Sequence, residues 1–140
     1  MTMKTDKKRN DRLVRIADRV LNNYETLFSR DSEGNVLHRI NPSFNGQIAA
    51  FSVMIAMTGL KPAMCIYYQD SDRTNVSRRN IILVLAKMIS EDKPENQFAS
   101  AKDLYNAVIT SRDNDFNNLK TEILECLIAL KLVVRTYIND

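Results

Sequence analysis

The stretch Phe44–Gln69, FNGQIAAFSVMIAMTGLKPAMCIYYQ, carries a single charge, Lys61, in a chain of which 26% is charged. Three arrangements keep charge out of so long a segment: a membrane hairpin, a cofactor pocket, or the central helices of a packed core. A membrane hairpin is excluded by length. The longest apolar run, Ile48–Leu60, has 13 residues even counting Ser52 and Thr58, whereas a bilayer crossing takes about 20. The break at Gly59-Leu60-Lys61-Pro62 divides the segment into two short helices meeting at a corner. Gly59 suits the left-handed backbone that closes a helix, and Pro62 suits the first turn of the next. A corner with most of both helices covered by protein needs no charge, so central helices are expected here.

The surrounding pattern is helical. Only three glycines and three prolines interrupt 140 residues, too few for the turns of an all-β chain, and the length fits one domain. Leu13, Ile16, Ala17, Val20, Leu21, Tyr24, Leu27 and Phe28 recur at three- and four-residue spacing and predict a first helix over Asp6–Phe28. A polar loop, SRDSEGNVLHRINP, follows. Asn41 and Pro42 cap and open a second helix ending near Thr58; PAMCIYYQD is the third. Asn75 or Ser77 caps a fourth, whose IILVLAKMI is apolar nearly all round and belongs at the centre. Ser100 and Asp103 resemble a capping box before a short fifth helix. A last helix over Asp113–Tyr137 carries the stripe Phe116, Leu119, Ile123, Cys126, Leu130 and Val133. The expected fold is all-α, a single-domain bundle of five to six helices over residues 1–140.

The parts of an enzyme are missing. Gly34, Gly46 and Gly59 lie too far apart to cradle a phosphate. His38 is the lone histidine, which removes metal motifs built on a His pair; near Asp31 and Glu33 it reads as an exposed loop residue. Cys65 and Cys126 sit among aliphatics with no base beside them and read as buried free thiols. Asp70/Asp72 and Asp113/Asp115 fall at helix boundaries, where carboxylates cap. Glu122 and Glu125 form a solvated pair on the outer face of the last helix. No catalytic residue, metal or cofactor is expected. The start, MTMKTDKKRNDR, has no apolar run behind it, so no signal peptide is read and a cytoplasmic protein is expected.

The cationic groups are more informative. Residues 1–30 hold eight Lys/Arg against four Asp/Glu, and the remainder twelve against thirteen, so the net charge of +3 comes from the front of the chain. Lys8, Arg12, Arg15 and Arg19 follow helical spacing along one edge for about 16 Å at ~1.5 Å per residue, enough to follow several phosphates. Arg73, Arg78 and Arg79 gather at the start of the fourth helix, whose dipole favours anions. Lys131 and Arg135 flank the buried stripe of the last helix. Leu124, Ile128 and Leu132 lie outside that stripe, on a face suited to a partner.

The block FNGQIAAFSVMIAMTGLKPAMCIYY, with Gly46, Phe51, Gly59, Leu60, Pro62 and Ala63, resembles the small helical subunit of the Cmr-type (type III-B) CRISPR RNA-guided effector complex. LECLIALKLVVRTY is similar to that family's last helix, with Lys131 and Arg135 at matching places. The resemblance implies a non-catalytic helical bundle acting in antiviral defence. Its copies would stack as a minor filament beside the large polymerase/cyclase-like subunit and the crRNA-bearing backbone subunits. Its basic residues would touch phosphate and sugar of the target RNA, base pairing with the guide already reading the sequence. Ala56-Met57 departs from the pattern, since many members carry a cation or glutamine there. RNA contacts are therefore expected from the three basic clusters rather than from the second helix. Lys61, Tyr67 and Tyr68 at the rim of the corner are expected to meet a neighbouring copy, and Leu124, Ile128 and Leu132 another subunit. Two other readings stand beside this one: a helical adaptor that binds no nucleic acid, and a helical DNA-binding regulator using the segment RDNDFNNLK. The latter segment is nearly neutral, which suits DNA poorly.

Overall fold

The computed structural model describes residues 7–24, 27–69 and 77–138, apart from the side chains of His38 and Ile138. In chain order these form α1 (Lys7–Leu21), β1 (Phe28–Arg30), β2 (Val36–Ile40), α2 (Pro42–Thr58), α3 (Leu60–Tyr68), α4 (Arg79–Asp92), α5 (Ala101–Thr110) and α6 (Asp113–Ile138). The described residues are all-α apart from one small antiparallel hairpin. None of the described helices is long and apolar enough to cross a membrane.

The first helix ends at Leu21, not at Phe28, and the polar loop after it is the hairpin. Leu27 and Phe28 continue the helical spacing in the sequence, yet they are buried by a different route. Phe28 pairs with Ile40 across the strands, and its ring meets Tyr137 edge-on at 5.5 Å. Tertiary contact here outweighs local periodicity. The turn is tied by Asp31, whose carboxylate accepts from the N–H groups of Glu33 and Asn35 at 2.9 and 2.8 Å. The Asn35 bond above all holds the Asp31 carboxyl below the usual carboxylate range. Gly34 supplies the positive φ, +87°, that the turn needs.

The other helix boundaries follow local chemistry. Asn41 Oδ1 accepts from the Ser43 N–H at 2.9 Å, and Pro42 opens α2. Gly59, at φ +94°, ends α2 with its N–H on the Ile55 carbonyl at 2.9 Å, and its own carbonyl accepts from Ala63 at 3.3 Å, so the two helices share one residue at the corner. Ser77 Oγ accepts from the Arg79 N–H at 3.2 Å; Asn75 lies outside the described residues. Ser100 caps α5 through the Asp103 N–H at 3.2 Å. Asp103 reciprocates on the Ala99 N–H at 3.0 Å, one residue further out than in the usual box.

α4 lies at the centre, with Ile81, Ile82, Val84, Leu85, Ala86, Met88 and Ile89 buried and α1, α2, α3, α5 and α6 packed around it. The charge-poor corner is only half covered. Phe44, Ile48, Phe51 and Ile55 of α2 are buried, but Ala49, Ala50 and Ala56 are exposed, as are Val53 (57%) and Met57 (79%). The expectation that protein covers most of this helix is corrected: its outer face is open and uncharged.

Candidate functional site

The cationic edge of α1 leans against the acidic end of α4. Arg9, between two of the expected RNA contacts, is its hub. It donates to Asp92 Oδ2 at 3.0 Å and to Glu125 Oε1 at 2.9 and 3.1 Å, pinning α1 to α4 and α6 at once. Burial opposes the Arg9 charge, but the bonds to Glu125 and Asp92 together outweigh it and hold its pKa above the ordinary arginine value. Arg12 pairs with the other oxygen of the same carboxylate, Asp92 Oδ1, at 3.1 Å and also reaches the Asp92 carbonyl. The Asp92 side chain is 1% exposed, so two guanidinium groups neutralise one buried anion. At the far end Arg19 pairs with Glu91. α1 and α6 run in the same direction, Arg9 meeting Glu125 at one end and Asp18 and Asn22 meeting the Tyr137 hydroxyl at the other.

The edge is nevertheless open. Lys8 and Arg15 are exposed and make no ion pair among the described residues. Arg12 and Arg19 stay 49% and 61% exposed while paired. Along this edge of α1, two cations without an ion pair among the described residues alternate with two that are paired yet remain solvent-accessible.

The second cluster is placed differently. Arg79 donates from Nε and Nη2 to the Tyr68 carbonyl at 2.9 and 2.7 Å, closing the end of α3. Its guanidinium lies 4.4 Å from the Tyr68 ring, which stacks on Tyr105 at 4.3 Å. Arg78 lies over the Tyr67 ring at 5.0 Å. Both arginines are half-buried; Arg73 lies outside the described residues. In the third cluster Lys131 is half-buried and Arg135 exposed, and neither forms an ion pair among the described residues.

At the corner, Lys61 donates to the Ser111 carbonyl at 2.8 Å and sits 5.0 Å over Phe116, joining α3 to the start of α6. Tyr67 is 1% exposed, its hydroxyl donating to the Gln47 carbonyl at 3.0 Å, so it does not reach the rim; Tyr68 is half-buried in its stack. On α6, Ile128 (44%) and Leu132 (52%) are exposed and Leu124 packs partly against the core. Ile128, Leu132 and Val14 line a groove of about 250 Å³ between α1 and α6.

Glu122 and Glu125 are not a solvated pair. Glu125 is 9% exposed and held by Arg9. Glu122 is half-buried, one of its oxygens has no hydrogen-bond partner, and burial pushes its carboxyl above the usual range. Both thiols are free. Burial pushes the Cys126 thiol up to about 12, a value unsuited to nucleophilic chemistry. Cys65 Sγ lies 3.6 Å from the Tyr105 hydroxyl. Arg9 and Asp92 had no distinguishing local signal, because their partners lie 83 and 116 residues apart in the chain.

A family model described as CRISPR-associated protein (Cas_Cmr5) matches residues 15–137, which is 123 of the 140. No curated protein and no solved structure matches.

Proposed function

The chain belongs to the Cmr5 family of CRISPR-associated proteins, and from that premise we propose that it is a non-catalytic subunit whose basic surface holds RNA by its backbone. It works in the cytoplasm as a single helical domain, in antiviral defence. Its copies stack as a minor filament beside the large polymerase/cyclase-like subunit and the backbone subunits, along the duplex of crRNA and target RNA. The observation that carries the reading is the open edge of α1, where Lys8, Arg12, Arg15 and Arg19 follow one another at helical spacing and Lys8 and Arg15 are unpaired among the described residues. Contacts made this way go to phosphate and sugar, so they are indifferent to sequence and weaken with salt. Lys131 and Arg135 extend the same chemistry on α6. Arg78 and Arg79, whose guanidinium groups already lie on Tyr67 and Tyr68, contribute less. Exposed Ile128 and Leu132, with the open face of α2, supply apolar surface for assembly.

Replacing Arg12, Arg15 and Arg19 together by Ala is expected to lower RNA affinity equally across sequences and to reduce the slope of log affinity against log salt by about 2 to 3. An unchanged slope removes the RNA reading. It would leave the adaptor reading, which one observation favours: Arg12 and Arg19 already have carboxylate partners in Asp92 and Glu91.

A further inference from the structure

A cleft of about 560 Å³ opens where the end of α1 meets the last two turns of α4 and the α4–α5 linker, and Arg19, Tyr24, Lys87, Glu91, Gln97 and Phe98 are among its lining residues. The size is that of an ordinary small-ligand site, roughly 300–1,000 Å³. Its position matters more. Arg19 is the C-terminal member of the cationic edge, so a strand whose phosphates follow α1 from Lys8 onward arrives at this opening.

The chemistry inside differs from that of the edge. Tyr24 and Phe98 are half-buried aromatic residues that pack in part against the core and line the cleft. Lys87 is half-buried and has no ion-pair partner among the described residues, while the one carboxylate lining the cleft, Glu91, is taken by Arg19. Cations that track a backbone, ending at aromatic rings, are how sequence-tolerant single-strand binders hold bases, because every base offers a flat face. A paired and stacked base cannot use such a cleft; a nucleotide left unpaired within or beside the duplex can.

We propose that this cleft takes one unpaired base of an RNA strand running along α1, the base lying against Tyr24 and Phe98 and Lys87 meeting the adjoining phosphate. The inference rests on the backbone-tracking reading above, and adds to it a contact that depends on the base being present.

The test is fluorescence anisotropy at low salt with the full chain and two labelled strands of equal length: oligouridine, and the same ribose-phosphate backbone without bases. The unmodified chain is expected to bind oligouridine about tenfold more tightly. Tyr24→Leu and Phe98→Leu should each lower that preference while leaving affinity for the abasic strand unchanged. Arg12→Ala with Arg15→Ala should weaken both strands alike. Equal affinity of the unmodified chain for the two strands overturns the cleft and leaves the backbone reading standing. Binding of neither strand overturns the backbone reading and the cleft with it. A preference for oligouridine that persists in folded Tyr24→Leu and Phe98→Leu also overturns the cleft. Where either fails to fold, Lys87→Ala at the same opening should lower affinity for oligouridine, and unchanged affinity overturns the cleft.

Discussion

α1 and α2 each bury one stripe, and their outer faces are opposite in kind. Behind Leu13, Ile16, Ala17, Val20 and Leu21, α1 turns out Lys8, Asp11, Arg12, Arg15, Asp18 and Arg19. Behind Phe44, Ile48, Phe51 and Ile55, α2 turns out Ala49, Ala50, Val53, Ala56 and Met57. An outer face open to solvent is normally charged, so the absence of charge from α2 is not accounted for by its own fold. On the reading proposed above, the charged face of α1 suits a polyanion and the uncharged face of α2 suits apolar protein, and only α1 shows a sequence contrast between its two faces.

The largest test of this contrast is on the inner side of α2. Phe51→Ala removes a ring packed 4.6 Å from Tyr67 at a site with no exposure. It should cost about 4 kcal/mol in denaturant unfolding. Next is the anchor of α1: Asp92→Ala leaves Arg9 and Arg12 facing each other without their shared anion, at a cost of about 3 kcal/mol. Glu91→Ala, which frees only the exposed Arg19, should cost less than ~1 kcal/mol. A smaller effect, and of opposite sign, belongs to Glu122. Burial raises its folded pKa above the unfolded value, so its stabilising share is complete below the ordinary carboxylate range, about pH 4, and is lost as pH rises through the folded value. Glu122→Gln should therefore raise Tm by about 2 °C at pH 7 and by nothing near pH 4. Smallest in the isolated chain is Met57→Lys, expected to change stability by no more than ~0.5 kcal/mol. Sedimentation of the assembled complex should nevertheless show weaker association, and undiminished association would make the open face of α2 an ordinary surface.

Most helix boundaries were readable because they are set by residues next to them. Asn41-Pro42, Gly59, Ser77 and Ser100 act within a few positions, and α4 announces its central place by being apolar nearly all round through IILVLAKMI. The hairpin was not readable, since Tyr24, Leu27 and Phe28 keep helical spacing and a strand of three residues is too short to show alternation. In the site, the spacing of Lys8, Arg12, Arg15 and Arg19 gave the edge, but not the division between paired and open members. That division depends on Asp92 and Glu91, and burial of Glu125 depends on Arg9; no short-range pattern links residues so far apart. Arg78 and Arg79 looked like an anion site for a similar reason, their aromatic neighbours being known only once α3, α4 and α5 are packed.

The clamp on Asp92 also sets a timetable. α1 leaves the ribosome well before the carboxylates that receive Arg9 and Arg12, which lie 80 or more residues downstream, and Glu125 emerges later still. Through that interval Arg9 and Arg12 have neither of those acceptors, and closing so large a loop is slow compared with forming the helix itself. The most cationic helix is thus the first to be made and has to wait for the end of the chain before its polar anchors close.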